Sequence, residues 1–431
     1  MKFLYSDTLD YVDPGYDFIN DRNAPGRKRY WDDRYAHEIM DRAPYDGLLV
    51  SMSAVKPPTG IASDRGRYSV PEQHRFLRDG ARKFLRFDRS EFANAILMGD
   101  CGAFSYADQE EPAYKADEVL EFYVDGEFTH GCSPDHIIFQ CDATNPSPRD
   151  VDPKVLQRFE ITLENARRFY SRTKAEGRPF EPLGSVQGWS PKSMATAAKK
   201  LERIGYRYLA VGGLVPLRAE MIHACLTAIR SALKPTTDLH LLGFAKAEQI
   251  DQFVKYNIAS FDSTSPLVRA FKDETANYYL ENPQGGLEYH TAIRIPQAIE
   301  NPKLLQAIKK GILKGEDLQI EEAQALCALR QFDVGELSVE STVDQVAPYH
   351  ASLAKATAKS TEQQAKQLTV QRERLVATLK ARPWKRCSCA ICRQIGIEVI
   401  IFRSSNRNKR RGIHNLGVYY THLKNTLRAH Q

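Results

Sequence analysis

The residues best suited by type and spacing to do chemistry stand near the end of the chain. They are Cys387-Ser388-Cys389-Ala390-Ile391-Cys392, followed after 21 residues by His414 in "RRGIHNLGVYY". Three thiolates and one imidazole are the soft and borderline donors that tetrahedral zinc accepts. Four protein donors close a coordination sphere, whereas a catalytic zinc keeps one position open for water, so the count predicts a structural Zn2+. His422 competes as the fourth ligand. The other cysteines (Cys101, Cys132, Cys141, Cys225, Cys327) have no ligand-like spacing, and eight cysteines in 431 residues form no disulfide framework.

If the metal holds a scaffold, other elements must carry the reaction. Between Asp46 and Asp262 a short, apolar, β-rich run repeatedly ends in a polar or glycine residue and leads into a longer amphipathic stretch, the rhythm of an α/β fold. The expected strands are 47–52, 95–99, 136–141, 182–187, 208–213, 239–244 and 258–262. Between two of them, Ser190 caps a helix, Pro191 takes its first position and Gly205 ends it. Apolar runs of this kind are buried on both faces, which predicts a parallel sheet, as an eight-stranded barrel or an open doubly wound sheet. After Pro266 the rhythm breaks: 267–340 reads mostly as helices, and 341–380, rich in Ala, Gln, Lys and Glu, as one or two long solvent-facing helices. The expected division is a catalytic domain over 1–340, with a helical insertion near 267–340, and a helical linker plus zinc-binding subdomain over 341–431.

The pattern C-x-C-x-x-C, a spacer, then His414-Asn415-Leu416 with Tyr419 and Tyr420 resembles the zinc subdomain of the tRNA-guanine transglycosylase family. The resemblance continues upstream, in order. Asp100-Cys101-Gly102-Ala103-Phe104 is similar to the motif of that family's first catalytic aspartate, and "FQCDATNP" places Asp142 where its base-binding aspartate stands. Val186-Gln187-Gly188 and Gly212-Gly213-Leu214 are intact, and Phe261-Asp262 matches the nucleophile. The resemblance implies an α/β fold, a (β/α)8 TIM barrel with helical insertions and a C-terminal zinc-binding subdomain. An Arg-rich RNA-contacting stretch that follows the nucleophile in tRNA-acting members is replaced by Ser263-Thr264-Ser265-Pro266-Leu267. The opening "MKFLYSDTLDYVDPGYDFINDRNAPGRKRYWDDRY" resembles the DNA-acting branch, which inserts 7-deazaguanine bases into DNA.

These positions fall at carboxyl ends of expected strands, where a parallel β/α barrel builds its active site. On the resemblance, Asp262 is the nucleophile that displaces guanine from C1′, and Asp100 is the general acid and base. Asp142 accepts from the base's N1–H and 2-amino group, while Gln187 and the Gly213 N–H donate to its 6-oxo group. Guanine and 7-cyano-7-deazaguanine (preQ0) share that edge. Arg403, Arg407, Lys409, Arg410 and Arg411, in "RSSNRNKRR", are expected to grip DNA phosphates.

The expected partners are DNA and 7-cyano-7-deazaguanine; the DNA-acting branch further implies a companion ATPase-like protein and is compatible with a homodimer. No run approaches the roughly 18 to 20 apolar residues of a membrane span, and Met1–Asp10 lacks a signal-peptide pattern, so a cytoplasmic protein is expected. A net charge of +6 is a weak pointer to polyanions. Two other readings stand: the same exchange on tRNA, or a non-catalytic, zinc-bearing nucleic-acid-binding subunit, against which the pair Asp100 and Asp262 argues.

Overall fold

In the computed structural model, which describes residues 1–58, 68–244 and 249–429, eight parallel strands close into a barrel in chain order. They are β1 (Lys2–Ser6), β2 (Gly47–Ser51), β3 (Ile96–Asp100), β4 (His130–Cys132), β5 (Glu181–Val186), β6 (Tyr208–Val211), β7 (Asp238–Leu241) and β8 (Ser260–Asp262). β1 closes the ring by pairing with β8, Leu4 opposite Asp262. Helices follow the strands, as Pro191–Ile204 does between β5 and β6. Ser190 caps that helix by accepting from the Ser193 N–H, Pro191 opens it, and Gly205 at φ +125° ends it, as the sequence predicts. Leu4, Leu49, Met98, Cys132 and Leu183 pack together from successive strands, so the interior is a filled core.

Six expected strands form within three residues of their predicted bounds, and β1 supplies the eighth. The expected strand 136–141 does not form. Its N–H groups bond elsewhere, His136 donating to Thr162 Oγ1 and Ile138 to Gln187 Oε1, and the next residue, Asp142, donates to the Trp189 carbonyl. The strand at that place in the barrel is the three-residue β4, just upstream.

The chain divides into two compact units, one of Met1–Leu9, Tyr45–Thr264 and Leu423–Gln431, the other of Asp10–Pro44 and Ser265–His422. The second contains, besides helices, an antiparallel hairpin, β9 (Tyr278–Glu281) with β10 (Leu287–His290), inside the stretch read as mostly helical. The region 341–380 forms two helices, Val339–Thr357 and Thr361–Ala381, and the first buries Val343, Val346, Tyr349 and Leu353 instead of lying free in solvent. Among the described residues no helix is long and apolar enough to cross a membrane.

Candidate active site and metal centre

The carboxyl ends of the barrel strands surround a cavity of about 450 Å³. Asp100, the last residue of β3, and Asp262, the last of β8, both line it. Gln187, one residue past β5, and Gly213, two past β6, line it as well. Four of the five residues expected around the reacting base are therefore brought together. Strand ends deliver them because each strand delivers its last residue to the same rim.

Asp262 is buried and held on both oxygens. Ser6 Oγ donates to Oδ2 at 2.5 Å, the Gly243 N–H to Oδ1 at 2.9 Å, and His240 Nε2 lies 3.2 Å from Oδ1. An ionised carboxylate only accepts, so Nε2 carries the proton. His240 Nδ1 then accepts from Ser260 Oγ at 2.5 Å, and Ser260 accepts from the Tyr208 hydroxyl at 2.6 Å. This chain runs through the barrel interior and fixes the orientation of the Asp262 carboxylate, because turning it would break three bonds. Ser6 and His240 carry no recognisable motif, and their role follows only from the closure of β1 and β7 around β8.

The fifth expected residue, Asp142, is placed elsewhere. It is exposed, and its Oδ1 accepts from the backbone N–H and hydroxyl of Thr144, both at 2.8 Å, an Asx turn that holds its carboxyl below the usual range. The acid of this stretch that lines the cavity is Asp135, seven residues upstream and three past β4. It is buried, Gln187 Nε2 donates to its Oδ2 at 2.6 Å, and the Cys101 thiol donates to its Oδ1 at 3.1 Å. Burial raises its pKa. The signal that marks it is Ser133-Pro134-Asp135 directly after a strand too short to stand out by pattern.

Gly213 sits at φ +72°, where a Cβ would meet the Ile138 carbonyl at 2.9 Å, and a Cβ on Gly212 would strike Gln187 Nε2 at 2.3 Å. These glycines let the backbone lie against the Gln187 amide at the cavity wall. At the rim, Phe104 is 57% exposed, and its ring stands 5.6 Å from that of Phe139.

In the second unit, Cys387, Cys389, Cys392 and His414 bring their donor atoms within 4.8 Å of one another, so the set can bind a metal ion. His414 Nδ1 lies 3.6, 3.3 and 3.4 Å from the three sulfurs in turn. With metal–sulfur bonds of about 2.3 Å and metal–nitrogen bonds of about 2.0 Å, tetrahedral geometry calls for about 3.5 Å. The second shell fits too. His414 Nε2 donates to the Tyr279 carbonyl at 2.8 Å, which points Nδ1 at the sulfurs, and Tyr278 stacks on the imidazole at 4.1 Å. Asn415 bonds to Tyr279 N and to the Pro266 and Asn277 carbonyls, which explains the His-Asn pairing in the sequence.

The basic stretch departs from expectation. It is no solvated loop: residues from Ser405 on belong to the helix Ser405–Ala429, and Arg407, Arg410 and Arg411 are at most 1% exposed. Arg403 pairs with Asp21 and Glu322, and Arg407 with Asp21 and Glu398. Arg411 donates to the Ala270, Val399 and Ile401 carbonyls, and burial pulls it down to about 9. Arg410 bonds to Asn406 and the Asp13 carbonyl, and Lys409 lies over the Tyr11 ring at 5.5 Å. The four guanidiniums are committed inside the second unit and offer no free fork to a phosphate. A run of like charge is read as solvated when the acids that pair with it are not in view, and Asp21 and Glu322 are distant in sequence, with only Glu398 close by.

A scan against protein-family models finds no match. A DNA-guanine transglycosylase from Salmonella montevideo is 38% identical over 428 residues, covering 99% of this chain and 97% of that protein. With identity at that level over nearly the full length, added to a closed barrel whose strand ends gather the acids, the chain belongs to the DNA-guanine transglycosylase family, the DNA-acting branch of the guanine transglycosylases.

Proposed function

We propose that the protein exchanges guanine in DNA for 7-cyano-7-deazaguanine through a covalent aspartyl-sugar intermediate. The observation that carries this reading is one cavity holding two carboxylates at strand ends, Asp100 and Asp262, beside a base-sized polar wall of Asp135, Gln187 and Gly213. Asp262 attacks C1′ while Asp100 protonates the departing guanine. Asp100 then takes the proton of the incoming base, which attacks C1′ and releases Asp262. One N-glycosidic bond replaces a similar one, so the exchange itself needs no nucleotide fuel.

Asp135 takes the base-edge role first expected of Asp142. Its oxygens accept from N1–H and the 2-amino group, and Gln187 and the Gly213 N–H face the 6-oxo group. Phe104 provides a face on which an extruded base stacks. The Cys387, Cys389, Cys392 and His414 set holds Zn2+ as a structural ion, closed by protein on all four sides. The DNA-acting branch works with an ATPase-like companion, and we include that partner in the proposal.

The test supplies labelled 7-cyano-7-deazaguanine with either duplex DNA or tRNA, in the presence of the companion protein, and then analyses the hydrolysed polymer for the modified nucleoside. Label in DNA is expected; label in tRNA alone would overturn the reading.

Asp135→Asn separates recognition from folding. The substitution removes an acceptor that the base edge requires and should lower kcat/KM by about 10²-fold or more. Its effect on stability has the opposite sign. Because burial raises the folded pKa of Asp135, the folded state holds the proton more tightly, and stability falls as pH rises from the ordinary carboxylate value of 3.8 through the raised one. Asparagine escapes this penalty, so the melting temperature of the variant should gain on wild type between acidic and neutral pH. Parallel melting curves across that window would refute the buried-acid assignment.

A further inference from the structure

The second unit contains a cleft of about 760 Å³, on the order of 25 water volumes and too large for a single ion. One wall is the helix Thr361–Ala381, from which Gln363, Lys366, Gln367, Gln371 and Arg374 face the cleft. Their spacing of three and four residues is one helix face. A helix ordinarily turns an apolar stripe toward protein and leaves its polar face to water. Here the stripe directed into a concavity carries, around Val370 and Leu375, three amides, an ammonium and a guanidinium.

From the other elements come Lys272, Arg294 and Lys303, giving five cations against two acids, Asp273 and Glu274. Asp273 is already occupied in capping a turn, accepting from the N–H groups of Thr275 and Ala276 at 2.8 Å. Among the described residues none of the five cations makes a salt bridge, whereas Arg330, Arg386, Arg403 and Arg407 in the same unit all do. The Arg294 guanidinium is held over the Phe402 ring at 5.5 Å, a contact that orients it while leaving its donors available. His350, which also lines the cleft, is pulled down to about 4 by burial and is neutral at physiological pH.

We propose that this cleft binds the phosphodiester backbone of DNA outside the nucleotide being exchanged. The cations match phosphates, and the amides match the oxygens of sugar and phosphate, which take half or more of the hydrogen bonds in such complexes. The inference rests on DNA as the polymer, and it relocates phosphate binding from the buried arginines of 403–411 to side chains with free heads.

The test measures binding of the full-length protein to a fluorescein-labelled duplex by anisotropy, from roughly 50 to 200 mM salt. The variant is Lys303→Gln/Lys366→Gln/Arg374→Gln. The control, Arg167→Gln/Lys174→Gln/Lys200→Gln, removes the same charge from exposed positions of the first unit. Each phosphate contact contributes about 0.9 to the slope of log K against log salt, so the variant's slope should shrink by about 2 to 3 and its affinity fall about tenfold or more. Lys366→Gln alone, at an exposed position that leaves the fold intact, should lose about 0.9. A variant matching the control in slope and affinity would overturn the cleft while leaving DNA exchange standing. A wild type with no salt-dependent DNA binding would overturn the DNA reading and the cleft together.

Discussion

Asp262→Asn is expected to abolish base exchange, with turnover down roughly 10⁴-fold or more, while the protein melts close to wild type. The amide is isosteric with the carboxylate. Its oxygen still accepts from the Gly243 N–H and His240 Nε2, and its nitrogen donates to Ser6 Oγ, so the three contacts that fix the side chain persist. The nucleophilic charge does not. The decisive measurement is the covalent adduct: wild type incubated with labelled DNA should leave a protein band carrying label on a denaturing gel, and the variant should leave none. An adduct surviving in Asp262→Asn would move the nucleophile to Asp100. Alanine is the poorer probe, because it leaves the donors of Ser6, Gly243 and the fully buried His240 without their acceptor, at about 1–3 kcal/mol for the buried one, and confuses loss of chemistry with loss of fold.

The second large effect concerns the metal centre, and its readout is independent of turnover. One zinc per chain is expected by elemental analysis, and Cys389→Ser should lose it. Structural zinc sites in small domains contribute on the order of 10 kcal/mol of folding free energy. Even a part of that, at about 2–4 °C per kcal/mol, lowers the melting temperature by roughly 10 °C or more. The damage should centre on the hairpin β9–β10, because the Tyr279 carbonyl orients His414 and Tyr278 stacks on its ring. Protease cleavage should therefore appear first within Tyr278–His290. Stoichiometric zinc and an unchanged melting curve in the serine variant would show that the ligand set is wrong.

What was legible in the sequence was local. The three cysteines lie within a span whose own turns bring them together, as Cys389 capping the helix Ala390–Ile395 illustrates, so their spacing identified them, whereas His414 was chosen over His422 by its family-like His-Asn-Leu context. Strands with a run of apolar residues announced themselves, and the residues that the family resemblance singled out, Asp100, Gln187, Gly213 and Asp262, each lie within two residues of a strand end. β4 did not, because His130-Gly131-Cys132 has no pattern that distinguishes it from a loop, whereas "HIIFQC" just after it has the pattern of a strand without a neighbour to pair with. Asp135, three residues past β4, lines the cavity, while Asp142, just past the end of that unformed strand, is exposed.

The sequence pattern by itself determined the parallel β/α architecture and the three-cysteine cluster, because each depends on periodicity or on contacts a few residues apart; the strand-end carboxylates and the choice of His414 came from the family resemblance. Only the tertiary structure decided which acid enters the cavity, what grips Asp262, and whether the basic run faces water. Those outcomes depend on partners 22 residues away for His240, 256 for Ser6 and 386 for Asp21 against Arg407. Burial of a charge is set by the company that the fold brings to it, and a linear pattern of charges contains no record of that company.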